Sequence, residues 1–184
     1  MGQYYTAVVE NEVVGKIARF TNSMKLMEHS WWKNKHMGAI CKIIYKIKSK
    51  VCWVGDYASE DEDWEGEEQK SAWYGVAWRY SDGDKPKETE ENADGISLDG
   101  KFLVNHTQKI YINCDEYHKR NDRDGWCIHP LSLLTAKGNG RGGGDYHEQY
   151  PDFDSVGSWA LDEISVEDEI PNKYEEVMYN FVEE

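Results

Sequence analysis

The chain opens with two runs rich in Tyr, Val and Ile, Gln3–Glu10 and Val13–Phe20, set around Asn11-Glu12. β-branched and aromatic side chains lose rotamer freedom in a helix and pack well on a pleated surface, so the pair predicts a β-hairpin. Phe102–Asn105 and Lys109–Asn113, around His106-Thr107-Gln108, repeat the pattern far along the chain. Two such hairpins commit the fold to an antiparallel or mixed sheet.

The remaining elements are read against that sheet. Ser23 reads as a helix cap with Met24, Leu26 and Met27 behind it, and the stretch from Lys35 to Ser49 places Met37, Ile40, Ile44 and Ile47 at helical spacing. Val51-Cys52-Trp53-Val54 is a short apolar strand ending at Gly55-Asp56-Tyr57. Val156–Trp159 and Asp162–Val166 suggest a further strand, and Tyr174–Phe181 a last strand or a short helix. The expected fold is α+β, a sheet of about five to seven strands packed by about two helices. At 184 residues, with eight Trp and twelve Tyr, one domain spanning 1–184 can bury roughly 65–70% of its unfolded surface without a disulfide or metal.

Charge is unevenly placed. The chain carries −14, and fourteen acids against four bases between Glu60 and Asp99 account for −10 of it. The segment at about 60–100 therefore reads as an acidic insertion, with a strand at the aromatic run Ala72–Trp78. Asp61, Asp63, Glu65 and Gly66 imitate the start of a calcium loop, but Ala72 stands where the bidentate Glu belongs. Direct nucleic-acid binding is disfavoured, since phosphate contacts need a concentrated basic surface. Lys33, Lys35, Lys42, Lys46, Lys48 and Lys50 do form an acid-free run, which reads as a solvated face balanced by the insertion or as an anion-binding face.

There is no leader-like N-terminus and no run of ~18 apolar residues, so the expectation is a cytoplasmic protein with no membrane partner. Gly2 with Thr6 matches an acylation start, but no polybasic second signal follows. Cys41, Cys52, Cys114 and Cys127 are far apart and form no Cys-x-x-Cys pair, which suits reduced, buried thiols better than zinc or redox chemistry. His29, His106, His129 and His147 have no metal spacing, so no metal is expected. Cys127 and His129, two apart, would share a face of a strand as thiol and base, although such pairs normally meet across a fold.

The most specific segment is Gly138-Asn139-Gly140-Arg141-Gly142-Gly143-Gly144-Asp145. Its glycines allow positive φ and close backbone approach, which lets several N–H groups face one anion, and Arg141 adds a fork suited to phosphate or carboxylate. Its first residues satisfy Gly-x-Gly-x-x-Gly, but the short polar stretch Asp145–Pro151 cannot be the crossover helix of a dinucleotide site, and no Gly-Lys-Ser/Thr follows. A plain connector needs only one or two glycines. Asn139, Gly140, Arg141, Gly142, Gly143, Gly144 and Asp145, with Asp56, Tyr57, His29 and His129, are therefore the candidate ligand-binding residues, and Trp53, Tyr57, Trp126 or Trp159 are candidates to stack on a base.

Met1-Gly2-Gln3-Tyr4-Tyr5, Leu26–Ser30, Trp53–Ala58, Gly138–Asp145 and Val156–Ala160 together resemble a family of small proteins of bacteria and their phages to which no activity is assigned. The resemblance implies an intracellular, phage-encoded protein acting in the host cytoplasm, and it transfers no cofactor or catalytic residue. The acidic stretch has no counterpart in it.

Three functions are compatible with these residues. The first is a binding protein for a small anionic, nucleotide-like ligand held by the glycine-rich segment. The second is an acidic protein-interaction module that inhibits a host factor through residues 60–100. The third is a hydrolase using Asp56, His129 or Asp145, for which the spacing shows no nucleophile, base and orienting group.

Overall fold

A computed structural model describes residues 4–19, 25–58, 64–81, 95–139 and 150–182. Along the chain run β1 (Tyr5–Asn11), β2 (Gly15–Arg19), α1 (Leu26–His29), α2 (Lys35–Ile43), β3 (Ser49–Gly55), α3 (Gly66–Ser81), β4 (Phe102–Asn105), β5 (Ile110–Asn113), α4 (Cys114–Asn121), α5 (Pro130–Leu134), β6 (Ala136–Lys137), β7 (Glu163–Glu167) and β8 (Glu175–Glu176). The strands form one eight-stranded mixed sheet in the order β2-β1-β3-β7-β4-β5-β8, with β6 added beside β3. The α+β expectation holds, with more helices than the two foreseen.

Both hairpins form where the sequence places them. Asn11 makes the first turn: its Oδ1 accepts from Val13 N–H at 3.0 Å and Val14 N–H at 2.9 Å, and Gly15 takes φ +66°, the conformation glycine adopts without cost. In the second, Phe102 faces Asn113 and Asn105 faces Ile110.

β3 lies at the centre. One edge pairs antiparallel with β1, Ala7 opposite Trp53. The other edge is shared, Ser49 and Lys50 pairing with β7 and Trp53 and Val54 running parallel to β6. Successive side chains alternate between two apolar layers, as the strand period requires. Tyr5, Ala7, Val9, Val51 and Trp53 enter the larger core with Leu26, Met37, Ile40, Leu131 and Leu134 of the helices. Val8, Cys52 and Val54 face the opposite side, under Trp64, Trp73 and Ala77.

Trp73 and Ala77 belong to α3, so the aromatic run expected as a strand is helical. Aromatic and β-branched residues mimic a strand over a short run, but Trp73 and Ala77 are four apart and meet the sheet from one helix face. α2 ends at Ile43 rather than near Ser49. Lys46 takes φ +58°, and backbone bonds from Lys46 N–H to Val166 O (2.9 Å) and from Val166 N–H to Ile44 O (3.1 Å) hand the chain to β7. α4 and α5 arise from polar or short stretches that carry no long apolar period. Each is capped from the preceding residue: Asn113 Oδ1 accepts from Asp115 and Glu116 N–H, and His129 Nδ1 from Leu131 N–H. Val156–Trp159 is turn rather than strand, and only Glu175–Glu176 of Tyr174–Phe181 pairs. Ser23 and Met24 lie outside the described residues.

Trp53 links the sheet to the helices. It is fully buried, and its indole N–H donates to His29 Nε2 at 2.9 Å. Trp53→Phe removes the donor, orphans that nitrogen and leaves a small cavity, which should cost about 3 kcal/mol. The difference in urea unfolding free energy between the two proteins measures it.

Candidate functional site

The glycine-rich segment leaves the sheet from the end of β6, beside the end of β3. Its first two residues are described, and both are fixed. Gly138 has φ +100°, and a Cβ there would fall 2.3 Å from Ala58 Cβ and 2.7 Å from Ala58 Cα, so the position excludes any side chain. Asn139 is buried and uses its whole amide. Its Nδ2 donates to Tyr4 O at 3.0 Å and to Asp56 Oδ1 at 2.8 Å, while its Oδ1 accepts from Tyr57 N–H at 2.8 Å. Gly55 makes room for this amide, since a Cβ there would lie 2.1 Å from Asn139 Cγ.

Asp56 completes the knot. Tyr4 N–H donates to its Oδ1 at 3.0 Å, and its own N–H donates to Tyr4 O at 2.9 Å. The start of β1, the end of β3 and the root of the glycine-rich segment are thereby tied at one point. The Oδ1 of this candidate ligand-binding residue is thus taken up by Tyr4 and Asn139.

A cation and two rings sit at the same end. Lys137, the last residue of β6, holds its Nζ 5.1 Å from the Trp64 ring centroid. Trp64 in turn donates its indole N–H to Ala58 O at 2.8 Å. Tyr74 of α3 reaches Asp56 O with its hydroxyl at 3.5 Å. Lys137, Trp64 and Tyr74 escape a sequence reading because a two-residue strand, the bend before α3 and a helix whose aromatic run resembles a strand place them. The one available signal was the adjacency of Lys137 to Gly138.

The candidate histidines lie elsewhere, in the core. The Trp53 indole can only donate, so His29 Nε2 is an acceptor and the ring proton sits on Nδ1, donating to Lys25 O at 2.8 Å. Burial pushes this imidazole down to about 4. His129 accepts Leu131 N–H on Nδ1 at 3.2 Å, so its Nε2 proton faces Cys41 Sγ at 3.4 Å, and burial lowers it to about 3. Among the described residues neither histidine bonds to Asp56. The partner of His129 is thus Cys41 and not Cys127. All four thiols are free and buried, with Cys52, Cys114 and Cys127 each pushed up to about 12, chiefly by desolvation, and therefore poor nucleophiles. Trp53 and Trp159 are wholly buried and do not present a face to a base. Gly140, Arg141, Gly142, Gly143, Gly144 and Asp145 lie outside the described residues, as do His147 and residues 60–63 and 82–94 of the acidic stretch.

Among the described residues no group of His, Cys, Asp and Glu could hold a metal ion, and no helix is long and apolar enough to cross a membrane. No protein-family model, curated protein or solved structure matches the chain.

Two expectations follow from this geometry. Histidines in an unfolded chain titrate near 6.5, so below that pH the folded protein binds fewer protons than the unfolded one. Stability should be full above about pH 6.5 and fall as the pH drops through about 4 toward 3. A series of urea midpoints against pH should show this slope, and His129→Asn, which keeps an acceptor for Leu131 N–H, should flatten part of it. Separately, Asn139→Asp preserves shape but turns an oxygen toward Asp56 Oδ1 and Tyr4 O. It should cost about 3 kcal/mol at neutral pH and less near about pH 4, where protonation restores a donor.

Proposed function

We propose that this chain is a binding protein for a small anionic ligand, nucleotide-like in charge and size, taken up where β3 and β6 end. The observation that carries the reading is the rigid root of the glycine-rich segment. Gly138 and Asn139 are held by a close backbone approach and three side-chain hydrogen bonds. A segment anchored in this way starts from a defined point and direction, which a glycine-rich chain needs if its N–H groups are to converge on one ligand.

Charge supports the same end of the sheet. The ammonium of Lys137 stands at the root, four residues before the guanidinium of Arg141, and two such cations favour phosphate or carboxylate over a neutral ligand. The parallel pairing of β3 with β6 also puts two strand C-termini side by side, the position at which parallel strands present ligand loops. Binding is favoured over hydrolysis because His29, His129 and Cys41 are buried and hydrogen-bonded inside the core. That leaves the hydrolase reading with Asp56 alone among its described candidates, its Oδ1 already bonded to Tyr4 and Asn139. The phage origin suggested by the family resemblance belongs to the same proposal, since a host-cell nucleotide is a ligand a phage gains from holding.

Titration calorimetry with AMP, ATP and inorganic phosphate tests the reading. Wild-type protein should bind at least one of them, and Arg141→Ala and Lys137→Ala should each weaken it by about tenfold. Binding unchanged in both variants, or no binding of any of the three, overturns it.

A further inference from the structure

A cleft of about 340 Å³ lies away from the β3 and β6 ends, between the turn after α1 and the C-terminal end of α4. Its walls include Trp31, Trp32 and Lys33 on one side and Asp122 on the other. They are preformed. Trp32 N–H donates to Cys127 O at 2.9 Å, and Trp31 bridges to Ile128. The turn from Arg123 to Trp126 is closed by two backbone bonds of 2.8 and 2.9 Å, with Asp124 and Gly125 both at positive φ, the twisted geometry of a tight hairpin turn.

Trp31 is 39% exposed, yet its ring is not loose. The indole N–H donates to Glu28 O at 2.7 Å, and Trp126 meets the ring edge-on at 5.6 Å. A large aromatic surface held in one orientation is ready to receive a ligand without further ordering cost.

Asp122 supplies the second observation. Its Oδ1 is buried and has no hydrogen-bond partner, a condition costly for a carboxylate oxygen. It is also the C-cap residue of α4, where the partial negative charge of the helix end repels a carboxylate and favours a cation. Asp122 lines the cleft, and the two oxygens of its carboxylate exchange by rotation about a soft terminal torsion, so either can take the accessible place and meet a donor entering the cleft. The other acid nearby is already served. Asp99 accepts from the Trp32 indole at 3.4 Å and is held below its usual range first by Ser97, with His118 and Lys33 adding to the effect. Asp122 Oδ1, by contrast, has no partner. The overall charge of −14 draws cations toward the molecule.

We propose that this cleft binds an organic cation bearing N–H groups, an alkylammonium or a guanidinium, whose hydrogens go to Asp122 and whose flank packs on Trp31. Aromatic faces attract such cations, while the orphaned acceptor selects those that can donate. The site is independent of the glycine-rich segment and stands whether or not that segment binds an anion.

The test follows the tryptophan indole N–H signals of the ¹⁵N-labelled protein by NMR while butylguanidinium, butylammonium or tetramethylammonium is added. The two N–H cations should shift the Trp31 and Trp32 signals saturably, with tetramethylammonium about tenfold weaker because it offers no donor. Asp122→Asn, close in size, should weaken butylguanidinium by about tenfold, Trp31→Ala by a similar factor, and Trp31→Phe by much less. Retained indole dispersion in each variant shows that it is folded, and Trp31→Phe serves should Trp31→Ala fail to fold. N-acetylarginine amide binding as well as butylguanidinium assigns the cleft to a side chain presented by a peptide, and its failure assigns the cleft to the free cation. No saturable shift with either N–H cation, equal binding by Asp122→Asn, or preference for tetramethylammonium overturns the proposal.

Discussion

β3 is walled in on every side, and the rest of the molecule is arranged to satisfy it. Both of its edges carry partners and every side chain but that of Lys50 is buried, so its buried N–H, carbonyl and side-chain groups must be matched inside the protein. That requirement explains why β7 and β6 share one edge of a seven-residue strand. It also explains why helices cover both faces of the sheet at this point, and why its buried polar side chains have dedicated partners, Trp53 in His29 and Ser49 in Asn11 and Ile47.

The same accounting decides what the polar interior is for. A buried imidazole is costly unless both nitrogens are used and the ring stays neutral. His29 and His129 each meet that condition with one backbone partner and one side-chain partner. They are joints between elements: His29 fastens α1 to β3, and His129 starts α5 while touching α2 through Cys41. Asn121 does comparable work at the C-terminal end, donating to Tyr117 O and Tyr179 O and accepting from Phe181 N–H. Groups committed in this way position the structure and are not available to turn over a substrate.

Charged groups are found at the rims instead. Asp168 gathers Tyr45, Lys46 and Lys101 at 2.6 to 2.9 Å, which depresses its carboxyl far below the usual range and clips the end of the α2 region to the start of β4. At the ends of β3 and β6, Asn139 takes up Tyr4 O and Asp56 Oδ1 near Lys137, whereas beside α4 Asp122 Oδ1 has no partner.

Local pattern carried much of this. The two hairpins, the α2 stripe, the apolar character of β3, the buried free cysteines and the α+β class all rest on interactions between residues near in sequence or on the period of one element, and the sequence alone determined them. It also marked Gly138, Asn139 and Asp56 as neighbours in importance without showing why. Tertiary structure decided that Trp73 sits on a helix, because only the sheet face across from it distinguishes a buried helix turn from a strand. It decided that His129 meets Cys41, 88 residues away in the chain, rather than Cys127, and that Asp56, His29 and His129 do not share a site. It alone brought Trp31 and Asp122 to one cleft. Such pairings depend on which faces pack together, and packing is set by the sum of many weak contacts that no single stretch of sequence contains.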